Sequence, residues 1–124
     1  MIEREKMEYF ELTFYEKRDW SLPVVEFLDS LPKKMRAKAL REMDILKEYG
    51  NELREPYTKY LEDGIFELRI KLGSDISRIL YFFYDGRNIV LTNGFIKKTW
   101  KTPRGEIEKA KMYRKDYFHR TERL

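Results

Sequence analysis

Between Phe66 and Lys101 the chain falls into three consecutive apolar–polar runs, FELRIKLGSDISRILYFFYDGRNIVLTNGFIKKTWK. In the first, Phe66, Leu68, Ile70 and Leu72 take one side and Glu67, Arg69 and Lys71 the other, the period of two that marks a half-buried strand. Gly73-Ser74-Asp75 turns it into Ile76–Tyr84, where only Ser77 and Arg78 interrupt the apolar run. Asp85-Gly86 is the pair a type I′ hairpin turn favours. The third run, Asn88–Ile96, ends in Lys97-Lys98. This pattern predicts a three-stranded antiparallel meander. If its first two strands pair, Arg69 and Arg78 share one face while Ile79, Tyr81 and Phe83 point into the core. Because Ile76–Tyr84 is apolar on both sides, its second face needs cover, from the C-terminal segment or from a partner.

Upstream, a charged Met1–Lys6 precedes Tyr9–Phe14, which reads as a strand with Phe10, Leu12 and Phe14 on one face. Leu22–Leu31 has helix-spaced Val24, Phe27, Leu28 and Leu31, with Ser21 as its N-cap. Pro32 ends that helix and suits the first turn of the next. In Lys33–Tyr49, Met35, Ala39, Met43 and Leu46 form a stripe with Leu40 beside it, and Gly50-Asn51 closes the helix. Asn51–Gly64 has no period and is expected as a loop, with one turn around Tyr57–Leu61. After the meander, Thr102 as N-cap and Pro103 at the first position start a last helix. Its stripe is Ile107, Ala110, Met112 or Tyr113, and Tyr117, to about His119. The expected fold is α+β, in the order β-α-α-β-β-β-α: one domain over residues 1–124, a small twisted antiparallel sheet with an N-terminal helical hairpin and a C-terminal helix.

The composition, 42% apolar and 39% charged over 124 residues, suits a single folded domain. The net charge of +4 is unevenly spread. Residues 97–124 carry ten Lys/Arg against Glu106, Glu108, Asp116 and Glu122, so the rest of the chain is slightly acidic. A basic quarter fits a polyanionic partner, and equally a solvated helix. The lack of cysteine excludes disulfides and thiolate metal sites. His119 is the single histidine, without a spaced partner for a metal or a nucleophilic triad. No glycine-rich phosphate loop occurs, and no cofactor or metal is expected. With no apolar leader and no run of membrane-spanning length, the expected location is cytoplasmic.

The remaining chemistry is basic. Arg69, Arg78, Lys97 and Lys98 are the candidate catalytic residues, and Lys71, Lys101, Arg104, Tyr113 and Arg114 the candidate substrate contacts. Guanidinium and ammonium groups hold phosphates and stabilise the charge that builds in a phosphoryl transition state. A plainer reading stands beside this one, and spacing alone favours it: Arg69 pairing with Glu67 or Asp75, and Lys97-Lys98 protecting a sheet edge.

Taken in order, F-E-L-R-I at 66–70, S-R-I-L-Y-F-F at 77–83, D-G at 85–86 and G-F-I-K-K-T-x-K-T-P at 94–103, with Glu106 and Ala110, resemble the phage-derived, HigB-like branch of the RelE/ParE toxin superfamily. The resemblance covers roughly residues 8–118. It implies a toxin of a type II toxin–antitoxin pair that cleaves mRNA in the ribosomal A site without a metal. The 2′-OH would attack the adjacent phosphate. It also implies a cognate antitoxin, usually a HigA-like helix-turn-helix protein, in an oligomeric complex. By position Arg78 matches the phosphate-binding arginine of the family, Arg69 a basic residue on the preceding strand, and Lys97 or Lys98 the basic pair ending the next. Glu67 stands where RelE itself has a second lysine. No tyrosine falls at the RelE catalytic position, which leaves Tyr113, Tyr117 and His119 as candidates for proton transfer. The alternatives are a ParE-like gyrase poison and a non-catalytic nucleic-acid-binding phage protein.

Overall fold

The computed structural model describes residues 10–97 and 101–122. Five strands form one sheet in the order β1-β5-β4-β3-β2. They are β1 (Glu11–Phe14), β2 (Thr58–Glu62), β3 (Ile65–Leu72), β4 (Asp75–Tyr84) and β5 (Asn88–Ile96). Helices α1 (Pro23–Ser30) and α2 (Lys33–Tyr49) pack on one face, and α3 (Arg104–Thr121) on the other. The α+β class and the central meander hold. The sheet is mixed, because β1 pairs in parallel with β5 while its other neighbours run antiparallel.

The expected loop over 51–64 contains β2, antiparallel to β3 with Thr58 opposite Leu68 and Tyr60 opposite Phe66. A bulge between Tyr60 and Glu62 breaks the alternation that would have announced it. Two helix starts also differ. Pro23 is the first residue of α1 and Leu22 its cap, whereas Ser21 bonds Asp19. Pro103 caps α3, and the Thr102 hydroxyl donates to Glu67 instead of to the helix. The Asp85-Gly86 turn has φ of 48° and 80°, positive at both positions as a type I′ turn requires.

Two cores follow from the alternation of β4. Ile79 and Tyr81 face the hairpin, where they meet Leu68, Ile70, Val24, Met35, Ala39, Met43 and Leu46. Leu80 and Phe82 face α3, against Ala110, Tyr113, Tyr117 and Phe118. The second apolar face is therefore covered by the chain's own C-terminal helix. Leu40 and Met112, beside the helical stripes, are 48% and 59% exposed, so Tyr113 takes the inward position of α3.

Candidate phosphate-binding face

The cluster beneath α3 reaches only as far as Leu80 and Phe95. Beyond it, towards the Gly73–Asp75 turn, the same face of the sheet turns cationic. Arg69 stands opposite Arg78, and Arg78 opposite Phe95, which aligns three strands in one row. In the next row Lys71 pairs with Ile76, whose carbonyl accepts the Lys97 N–H at 3.0 Å. On the inner side Lys59 stands opposite Glu67. Lys59, Arg69, Arg78 and Lys97 thus gather about one carboxylate, Glu67, with Lys71 further towards the Gly73–Asp75 turn on the same face.

Lys97 reaches this face because β5 is irregular. A bulge lies between the pairs Tyr81–Leu91 and Leu80–Asn93, with Thr92 as the extra residue. Its hydroxyl donates to the Leu80 carbonyl at 3.1 Å. Leu91 faces the hairpin core, and regular alternation would send residues 93, 95 and 97 the same way. The bulge reverses the parity, and Phe95 and Lys97 fall on the α3 side. The Gly94 that follows makes the irregular strand fit: a Cβ there would lie 2.3 Å from the Phe27 ring of α1.

Arg78 is the floor of the site rather than its rim. Its side chain is 2% exposed and that of Glu67 fully buried, and the two form a hydrogen-bonded ion pair. The other Glu67 oxygen accepts from Thr102, which ties the pair to the segment leading into α3. The carboxylate thus goes to Arg78, and neither Glu67 nor Asp75 pairs with Arg69. Burial lowers the Arg78 pKa below its ordinary value and nearby Arg69 adds to that, while Glu67 opposes both. For Lys97 burial is again the largest cause, followed by Arg78, and its pKa falls below that of a free lysine. Half-buried Arg69 and Lys97 and exposed Lys59 and Lys71 complete the surface.

The other sequence candidates are used elsewhere. Arg104 bonds Glu62 and lies 3.4 Å from Glu108, and Lys111 joins Glu62 and Asp63, clamping α3 to the β2–β3 turn. Arg114 donates to the Asp63 carbonyl in the same clamp. Tyr113 is stacked on Tyr15, with ring centroids 4.5 Å apart. Tyr117 packs edge-on against Phe82 and Tyr84, at the opposite end of β4 from Arg78. His119 lies exposed on the last turn of α3. Lys101 is exposed at the approach to α3. Lys98, Met1–Lys6 and Tyr9 lie outside the described residues.

Among the described residues no group of three or more His, Asp or Glu is placed to hold a metal ion. No described helix is long and apolar enough to cross a membrane. No curated protein matches the chain. The family profile described as "Phage derived protein Gp49-like (DUF891)" matches residues 26–115, from within α1 into α3, and so takes in the whole cationic face. On that match, the chain belongs to the phage-derived Gp49-like protein family.

Proposed function

We propose that this protein is a HigB-like toxin of the RelE/ParE type, an endoribonuclease that cuts mRNA on the ribosome and so stops translation. The observation that carries this reading is the cross-strand pair Arg69–Arg78 with Lys97 beside it on the same face of the sheet. Arg69 and Lys71 would receive the scissile phosphate, and the buried Arg78–Glu67 pair would fix the floor beneath it. Lys97 would take the proton of the 2′-OH, since its lowered pKa raises the share of neutral amine near neutral pH. The 2′-oxygen then bonds to phosphorus as the bond from phosphorus to the 5′-oxygen breaks, and the leaving oxygen takes a proton from solvent water, giving a 2′,3′-cyclic phosphate and a 5′-hydroxyl. The charge that builds on the phosphoryl oxygens is offset by Arg69.

The protein would act in the cytoplasm. Its neutralising partner would be a cognate antitoxin, HigA-like in type, that lays acidic side chains over the cationic face. Expression should arrest growth, and translating extracts should accumulate mRNA fragments with 2′,3′-cyclic or 3′-phosphate ends. Arrest with intact mRNA and broken DNA would support the gyrase-directed alternative, and 5′-phosphate ends a metal-dependent one.

A further inference from the structure

Glu67 is fully buried, yet each of its oxygens has a donor. Oε2 accepts from the Arg78 guanidinium and Oε1 from the Thr102 hydroxyl. Thr102 stands two residues before α3, and the Pro103 that follows disfavours a helical backbone there. Its one hydroxyl proton goes to Glu67, so it does not cap the helix. Branching at Cβ leaves the side chain few rotamers and holds the hydroxyl in that direction. Two cations of the same face, Arg69 and Lys97, have no ion pair among the described residues. Lys97 nevertheless feels Arg78 from β4, Glu67 and Arg69 from β3 and Lys59 from β2. At the start of α3, Arg104 is held by Glu62, and Glu106 accepts from Asn93. Glu67 is the one carboxylate among the charges acting on Lys97.

We infer that Thr102 is a positioning residue of the cationic face: its hydroxyl occupies the second oxygen of Glu67 and so keeps that carboxylate on Arg78 and off Lys97. The consequence for catalysis rests on the endoribonuclease reading, in which Lys97 takes the proton of the 2′-OH. A buried carboxylate oxygen deprived of its donor takes another, because such groups are nearly always bonded. Lys97 is suited to supply it, a point charge on a flexible four-carbon stem with three rotatable donors. Paired with Glu67, its charged form would be favoured and its pKa would rise. The share of neutral amine near neutral pH would fall with it. The Thr102 hydroxyl thus protects the base, although it touches neither the substrate nor the reacting atoms.

The test follows the Lys97 ammonium itself, through the NMR shift of its ε-carbon over a pH series on the full-length protein. In Thr102→Val, which keeps the branching and loses the hydroxyl, the Lys97 pKa should rise by about one unit or more. Thr102→Ser keeps a hydroxyl and should leave it at the wild-type value. The pH–rate profile of RNA cleavage should move to higher pH by the same amount in Thr102→Val. Below the plateau that is a loss of about ten-fold in rate per unit, with the plateau little changed. A Lys97 titration unchanged or lowered in Thr102→Val would overturn the inference, since Glu67 would then have found its donor in Arg78 or Arg69. So would a value that is raised equally in Thr102→Ser. Should Thr102→Val not fold, the wild type decides. A Thr102 hydroxyl proton bound to a buried carboxylate should exchange slowly enough to be seen by NMR, and its absence would overturn the inference. A Lys97 titration that moves as expected in a protein that cuts no RNA would retain the positioning role and sink the nuclease reading. Cleavage whose pH profile ignores Thr102→Val would do the reverse.

Discussion

Arg78 and Glu67 lie on neighbouring strands, both almost wholly removed from solvent, and each is the other's counter-charge. This changes what the arginine can be asked to do. An exposed phosphate fork could be truncated without harm to folding, whereas a buried one leaves its partner charged and alone. Arg78→Ala should cost about 3–5 kcal/mol, because Glu67 is then a buried unpaired carboxylate. The melting temperature should fall on the order of 10–30 °C. The informative variant is the double replacement Glu67→Leu with Arg78→Met, which removes both charges at similar volume and should recover most of the lost stability. A stable double variant that no longer arrests growth would assign Arg78 to the site, and a stable and fully toxic one would confine it to the core. Calorimetry and growth curves decide between them.

Arg69 is the separable member of the row. It is half-buried, has no ion pair among the described residues, and stands directly opposite Arg78. Arg69→Ala should lower the cleavage rate by about 10²–10³, the usual loss of one transition-state donor. The melting temperature should move little. Arg69→Lys should restore only part of the rate, because an ammonium keeps the charge without the planar fork. Single-turnover cleavage on programmed ribosomes measures both variants.

The period of two made most of this architecture legible. It separates Leu68 and Ile70 from Glu67 and Arg69 and, with the Gly73–Asp75 turn pairing the first two strands, implies that Arg69 and Arg78 share a face. Three features escaped it for physical reasons. The strand β2 is short, interrupted at Leu61, and carries exposed Lys59 and Tyr60 on opposite sides, so no apolar alternation marks it. The burial of Arg78 depends on Glu67 and Thr102, which are distant in sequence and meet only once α3 has docked. The bulge at Thr92 leaves no pattern of its own, and Gly94 beside it is the one hint of a close backbone approach. Without that bulge Lys97 would face the hairpin, so strict counting along β5 gives the wrong lysine.

Engagement of the ribosome or RNA should be strongly salt-dependent. Exposed Lys59 and Lys71 and half-buried Arg69 and Lys97 share one face of the sheet, and each phosphate they neutralise releases condensed counterions. The logarithm of the binding constant should fall linearly with the logarithm of salt, by roughly 0.7 per single-strand phosphate contact. Lys59→Ala and Lys71→Ala, both at exposed positions, should each flatten the line by about one such step. Binding measured across a salt series on single-stranded RNA would show this, and a slope near zero would remove the electrostatic face from the mechanism.

The pH dependence should centre on Lys97. Burial is the main cause of its lowered pKa, and the cations Arg78, Arg69 and Lys59 add to it while Glu67 opposes them. In the unfolded chain the amine regains its ordinary value near 10.5, so between the folded and unfolded values the unfolded state binds more protons. Stability should accordingly rise with pH across that window, the penalty of holding a charged amine in the fold being fully present below it. Catalysis should follow the same titration, with the rate increasing as the amine loses its proton and levelling above the folded pKa. Arg69→Ala removes a neighbouring cation and should shift this rise to higher pH, in addition to lowering the plateau. Lys97→Arg keeps a cation that cannot be deprotonated at these pH values, and should abolish both the rise and most of the activity while leaving RNA binding and its salt slope intact. A pH–rate profile that is flat in the wild type, or unmoved by Arg69→Ala, would take Lys97 out of the proton transfer and leave it as a phosphate contact.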